Sequence, residues 1–183
     1  MMETMGAQDL VQLARRIDAR CRLDGSFTLR SGELSDVYFD KYRFEADPIL
    51  LRSIVDEMAE LIPERTEMLG GLELGGIPLA TMLSSVTGLP AIFVRKEAKT
   101  YGTRRLAEGA DPQGQVVLLV EDVITSGGAV RHAAAELRDL GATVTDVVCA
   151  IDRSGPDEDP LRSDGITVNA VLTRELLDSV SDH

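Results

Sequence analysis

Fourteen consecutive residues carry chemistry that can be read directly: Val116-Val117-Leu118-Leu119-Val120-Glu121-Asp122-Val123-Ile124-Thr125-Ser126-Gly127-Gly128-Ala129. The aliphatic run suits a buried strand. It passes into two carboxylates and then into a turn of small residues that opens a helix. Thr125, Ser126, Gly127 and Gly128 can offer backbone N–H groups and hydroxyls to one anion, and the start of a helix adds partial positive charge. Glycine lets the backbone come close to such an anion. We therefore read Thr125 to Gly128 as a phosphate cradle, within the longer segment that runs from Glu121 through Val123 and Ile124 to Ala129. Glu121 and Asp122 lie about one sugar's length from it and can accept hydrogen bonds from vicinal hydroxyls. The competing reading is an ordinary strand-to-helix turn with Thr125 as the N-cap. The full combination of strand, acids, hydroxyls and glycines favours the cradle. The segment has neither the Gly-x-x-x-x-Gly-Lys of a P-loop nor the Gly-x-Gly-x-x-Gly of a dinucleotide fold.

A second cluster is basic. Arg95, Lys96, Lys99, Arg104 and Arg105 fall within eleven residues of a chain whose net charge is -12. Taken alone, such a run is a solvated loop. Beside a phosphate cradle it suits a polyanion such as pyrophosphate. Only three of the nineteen Lys+Arg residues are lysines, Lys41, Lys96 and Lys99. Either the chain simply favours arginine, or it keeps lysine where a compact ammonium is needed.

The elements that must position these residues follow from periodicity. Leu10, Leu13, Ala14, Ile17 and Cys21 share one face of a helix over residues 9–21. Residues 26–29 and 37–42 read as short strands around Ser31-Gly32. Asp47-Pro48 caps and starts a helix that runs to about Leu61. Residues 68–72 and 91–94 read as strands flanking a helix over 78–86 that Gly88 stops. A polar stretch over 96–114 has no clear period. A strand over 115–120, a helix over 128–140 closed by Gly141, a strand over 144–151, a Pro/Asp-rich loop, a last strand over 166–172 and a tail helix complete the chain. Strand–helix alternation predicts an α/β fold with a parallel sheet flanked by helices. Ligands then bind beyond the carboxyl ends of the strands.

Composition limits the rest. At 183 residues and 44% hydrophobic, the chain fits a single soluble domain. Its acidity disfavours nucleic acid as a partner. No apolar run is long enough to span a bilayer, and the N-terminus lacks a signal pattern, so we expect a cytoplasmic protein with no membrane partner. Cys21 and Cys149 give no sign of a disulfide, and two histidines, His132 and His183, form no metal-binding cluster with them.

The strand followed by Glu-Asp-Val-Ile-Thr-Ser-Gly-Gly resembles the phosphoribosyl-pyrophosphate motif of type I phosphoribosyltransferases. Arg95-Lys96-Glu97-Ala98-Lys99-Thr100-Tyr101-Gly102 resembles the catalytic loop of the orotate enzymes in that family, with Tyr101 in place of their usual histidine. Ser26-Phe27-Thr28-Leu29-Arg30-Ser31-Gly32 and Ser35 to Phe39 resemble their base-binding segment, with Arg30 replacing a lysine. Gly70 to Ala80 resembles their pyrophosphate loop, with Gly75 where some members carry a lysine. The resemblance runs from about residue 26 to residue 153.

The resemblance implies one domain with a small N-terminal hood (about 1–45) on a core (about 46–183). It implies transfer of phosphoribosyl from phosphoribosyl pyrophosphate to orotate, with Mg2+ held mainly through substrate rather than by the chain. Lys99, Arg95, Tyr101 and Asp122 would be the catalytic residues, Lys99 stabilising the departing charge. The phosphoribosyl donor would meet Glu121 to Ala129 together with Arg95, Lys96 and Lys99. Backbone amides at Leu74, Gly75 and Gly76 would hold pyrophosphate. Arg30, Tyr38, Phe39, Thr125 and Arg153 would take orotate, the Arg153 guanidinium matching its carboxylate. Tyr38 and Phe39 can equally be ordinary strand aromatics. A homodimer with shared active sites is also implied. The rivals are a phosphoribosyltransferase for another base and a non-catalytic regulator that senses phosphoribosyl pyrophosphate.

Overall fold

The computed structural model describes residues 7–28, 32–96, 106–155 and 158–181. Helix α1 (Ala7–Cys21) buries Leu13, Ala14, Ile17 and Cys21 along one stripe. Strands β1 (Arg22–Thr28) and β2 (Leu34–Phe39) pair antiparallel, from Arg22 opposite Phe39 to Thr28 opposite Leu34. They form a separate two-stranded sheet. Both begin earlier than the sequence pattern predicts. Tyr42, expected in the second strand, instead opens a one-turn helix, α2 (Tyr42–Glu45), because the chain turns at Lys41 and drives Phe44 into the core.

Helix α3 (Pro48–Glu60) starts where Asp47-Pro48 places it. The Asp47 side chain accepts from the amides of Ile49 at 3.0 Å and Leu50 at 3.2 Å, which fills two otherwise orphaned donors. The remaining elements are β3 (Met68–Leu72), α4 (Gly76–Thr87), β4 (Ala91–Val94), β5 (Ala107–Glu108), β6 (Val117–Ile124), α5 (Gly128–Asp139), β7 (Asp146–Asp152), β8 (Thr167–Thr173) and α6 (Arg174–Ser181). The main sheet has the order β5-β4-β3-β6-β7-β8 and is parallel except for β5.

Two strands depart from expectation. The polar stretch after Lys96 contains β5, whose Ala107 pairs with Val94 and whose Glu108 pairs with Phe93. Leu106 and Ala107 are buried there, and two residues are too few to show a period. Strand β6 also does not end before its acids. Glu121 pairs with Cys149 of β7, and Ile124 with Asp152, so the carboxylates belong to the strand itself.

The helices cover both faces of the sheet, as alternation requires. One core joins α1, α3, α4 and α6 to Leu118, Val120, Val148 and Ala150. The other joins α5 to Val117, Leu119, Val147 and Cys149. Side chains alternate across a strand. Asp122, in step with Leu118 and Val120, therefore faces α4 and the N-terminal segment. Glu121, in step with Val117 and Leu119, faces α5.

Candidate active site

The cradle is built where β6 ends and α5 begins. Gly127, the N-cap of α5, has φ 71°, a left-handed conformation that only glycine adopts without strain. A Cβ at this position would lie 2.7 Å from Leu161 Cδ2. The Arg131 amide donates to the Gly127 carbonyl, which leaves the amides of the first turn to point outward. Thr125, Ser126, Gly128 and Ala129 are exposed around this turn. With Glu121, Val123, Ile124, Gly127 and Val130 they line a cleft of about 390 Å³. The cradle read from the sequence is thus one continuous concave surface at a helix N-terminus.

The two acids part company. Glu121 lines the cleft, whereas Asp122 is fully buried on the opposite face of the strand. Asp122 Oδ1 accepts from the Val123 amide at 2.5 Å, and the Lys41 ammonium lies 2.6 Å from Oδ2. The two form an ion pair between a partly exposed ammonium and a buried carboxylate. Glu45 Oε1 is buried beside it with no hydrogen-bond donor. A Cβ placed on Gly75 would fall 1.8 Å from Asp122 Oδ2 and 2.7 Å from Glu45 Oε1. The turn at Gly75 therefore presses its backbone directly onto this carboxyl pair. At Gly76 a Cβ would lie 2.2 Å from the Val120 carbonyl oxygen, so the next residue is equally close to β6.

Proton distribution follows from this crowding. Burial, then the side chain and charge of Asp122, push the Glu121 carboxyl up to about 9. The same causes push Glu45 up to about 8. Burial alone would raise Asp122 as well. Side-chain hydrogen bonding with Glu121, Lys41 and Glu45, together with the charge of Lys41, outweighs it and holds Asp122 below its ordinary value. Lys41 is raised: burial opposes its charge, but Asp122 more than compensates. These shifts favour a proton on Glu121 and on Glu45 and charge on Asp122 and Lys41.

Further along the carboxyl edge of the sheet, the Arg153 amide donates to the Ile124 carbonyl at 2.8 Å. The Arg153 guanidinium lies over the Phe39 ring, 5.4 Å from its centroid. Phe39 and Arg153 are therefore brought together beside Thr125. Tyr38 is turned to the other face of β2, where it packs on Phe27 with ring centroids 5.5 Å apart. Leu74 is exposed on the turn before α4. Glu73, just ahead of it, accepts from the Lys96 amide at 3.1 Å. Lys96 is exposed, while Arg95 is half-buried with its Nε enclosed and without a hydrogen-bond partner. Arg30, Lys99 and Tyr101 lie outside the described residues.

The sequence reading did not select Lys41, Glu45 or Glu73. The first two carried a signal: a lysine in an arginine-using chain, with a glutamate four residues later, which is one helical turn.

The Phosphoribosyl transferase domain model matches residues 49–172. The orotate phosphoribosyltransferase of a Nocardioides species is 59% identical over 170 residues, covering 93% of this chain and 95% of that protein. The chain belongs to the orotate phosphoribosyltransferase family. The Mycobacterium tuberculosis orotate phosphoribosyltransferase solved with Fe(III) dicitrate superposes with a TM-score of 0.81 at 34% identity, covering 92% of this chain and 98% of that one. The same enzyme solved with phosphoribosyl pyrophosphate gives 0.76 at 29% identity, over 93% and 99%. The orotate phosphoribosyltransferase fold thus extends over nearly the whole chain, beyond the residues of the domain match.

Proposed function

We infer that this chain transfers the phosphoribosyl group of phosphoribosyl pyrophosphate to orotate, releasing pyrophosphate and forming orotidine 5′-monophosphate. The observation that carries the reading is the line of groups along the carboxyl edge of the sheet. The cradle at the start of α5 suits a 5′-phosphate, and Arg153 over Phe39 suits a planar base bearing a carboxylate. Between them lie the acids of β6, at the height of a ribose. The Gly75-Gly76 turn and Arg95 face the side where pyrophosphate would depart.

On this reading the chain acts chiefly by positioning and by charge. The carbon–oxygen bond to pyrophosphate breaks as the orotate ring nitrogen bonds to the anomeric carbon. The sugar passes through a cationic state that fixed dipoles and carboxylates can stabilise. Lys99, Arg95 and Lys96 would take up charge on the departing pyrophosphate. Tyr101, whose ordinary pKa is about 10, would serve as a hydrogen-bond donor rather than as a proton shuttle. Magnesium, when bound, would neutralise pyrophosphate oxygens. Asp122 is already paired with Lys41 and Glu121 tends to hold a proton, so these residues suit a metal held through substrate and water rather than by the chain. No helix of the described residues is long and apolar enough to cross a membrane, and we place the enzyme in the cytoplasm. We take the chain as one unit, with β1 and β2 as its hood, that pairs into a homodimer with shared active sites.

The deciding experiment follows the loss of orotate absorbance with phosphoribosyl pyrophosphate and magnesium, with uracil, adenine and hypoxanthine run in parallel. Turnover of orotate alone is expected. Arg153→Ala should raise the orotate KM by about tenfold or more, the scale of a lost charge-assisted pair. Turnover of a purine, or an Arg153→Ala enzyme that uses orotate normally, would overturn the base assignment.

A further inference from the structure

Lys41 has no part in the reading above, yet among the described residues it is the cation paired with the buried acid of β6. It is also the only one of the three lysines outside the basic loop. It stands at the turn from β2 into α2, where it is the N-cap residue of α2. Its side chain is 35% exposed and that of Asp122 is 0% exposed, so within this pair only the lysine meets solvent. An isolated carboxylate in that position would take up a proton rather than remain charged in an apolar setting. Two of its neighbours, Glu121 and Glu45, are driven to do so. The Gly75 turn closes the other side so tightly that no side chain could enter there. The charge that keeps this acid an acceptor therefore has to come from the N-terminal segment.

We propose that Lys41 is a positioning residue of the phosphoribosyl site: reaching in from the hood, it fixes the Asp122 carboxylate against the turn at Gly75, so that the acid meets the sugar hydroxyls as an ionised acceptor. This rests on the assignment of the β6 acids to the ribose. An ion pair that served stability alone would be a poor use of a buried site, because desolvation cancels most of its attraction. A lysine that stays against the acid keeps it charged when the sugar hydroxyls arrive.

The test uses the intact protein with Lys41→Met, Lys41→Gln and Lys41→Arg. Phosphoribosyl pyrophosphate binding with magnesium is measured by calorimetry across pH, alongside kcat and KM with orotate. The groups set against Asp122 are Lys41 and Glu45 from the N-terminal side and Glu121 on its own strand; Asp40 bears on Glu45, Tyr42 on Lys41, and Cys149 of β7 feels the charge of Asp122. Removing the only cation among them raises the Asp122 pKa, so the acid limb of donor binding should move to higher pH. Lys41→Met should weaken the donor about tenfold to a hundredfold, the scale of a charged hydrogen bond, with kcat changed about threefold or less. Lys41→Arg should restore most of the affinity. Donor binding by Lys41→Met equal to wild type, or weakened with an unmoved acid limb, would overturn the proposal. If Lys41→Met fails to fold by circular dichroism, Lys41→Gln decides by the same two readouts. A wild-type protein that binds the donor but leaves orotate untouched would instead sink the assignment of orotate and leave the Lys41 test standing on binding alone. A wild type that does not bind the donor would sink both.

Discussion

At the scale of single residues, the site depends on where protons sit. Glu45 and Glu121 are held above the ordinary carboxyl range, to about 8 and about 9, by burial and by the negative charge of Asp122. In the unfolded chain both would ionise near their ordinary value, about 4.3. Between that pH and the raised values, the folded protein binds protons that the unfolded one has lost. Stability is therefore fullest below the ordinary value and declines as pH rises through the folded values. Asp122, held low, works in the opposite sense: its contribution is present above its ordinary value and is lost as pH falls through the depressed one. We expect the melting temperature of the ligand-free protein to fall from about pH 5 to about pH 9, and Glu45→Gln to flatten part of that slope while keeping a donor beside Asp122. Calorimetry of both proteins over that range decides it, and parallel slopes would rule out Glu45 as a contributor. Phe39 and Tyr38 make a related point. Consecutive strand residues cannot stack on the same ring from the same face, and the structure keeps Phe39 for Arg153 and gives Tyr38 to Phe27.

At the scale of elements, the cradle depends on one left-handed residue. Gly127→Ala would impose the left-handed penalty, about 1–2 kcal/mol, and would also drive a methyl group toward Leu161. Gly114→Ala is a matched control. Its φ is 74°, and nothing lies within 4 Å of the added Cβ, so it carries only the backbone penalty. Urea unfolding should show Gly127→Ala to be the more destabilised of the two, and only Gly127→Ala should weaken phosphate binding. Equal losses would mean that Leu161 yields freely. The same elements show what can be read from sequence. Asp47-Pro48 announced α3 because a cap is a local hydrogen bond. The strand–helix turn at Gly127-Gly128 was equally local. Strand β5 was invisible because two residues in a polar stretch gain their structure entirely from β4. Tyr42 was misplaced in a strand because the burial of Phe44, a tertiary event, breaks the alternation. The Lys41–Asp122 pair joins residues 81 positions apart in the sequence, and no spacing rule covers that distance.

At the scale of the whole molecule, the cradle and Arg153 gather at the carboxyl edge of the main sheet, and the β1–β2 sheet is tied to α1. The link runs through an arginine: Arg22 at the start of β1 bonds Asp18 of α1 and Ser181 of α6 at 2.5 Å. The first hood strand is thereby tied to the end of the chain. The N-terminal segment also exposes Leu34, at 77%, and Tyr42, at 46%. The homodimer proposed above is open to a direct test. We expect sedimentation to give twice the mass of one chain at assay concentrations. Mixing Lys99→Ala with Arg153→Ala should then restore part of the activity that each variant lacks, as shared sites require. A fully active monomer would remove the shared-site reading.

The two cysteines, finally, give the molecule a native clock. Cys21 sits at the end of α1 and Cys149 in β7, between β6 and β8 of the main sheet, and both are wholly enclosed. Burial pushes the Cys21 thiol up to about 11 and holds that of Cys149 well above its ordinary value, so neither offers thiolate to a reagent in the folded state. Any alkylation must wait for the chain to open. Cys21 reports release of α1 from the core beneath the hood, and Cys149 reports loss of the sheet itself. With no engineered probe, the order in which these two thiols become reactive tells whether the cover lifts off before the floor gives way.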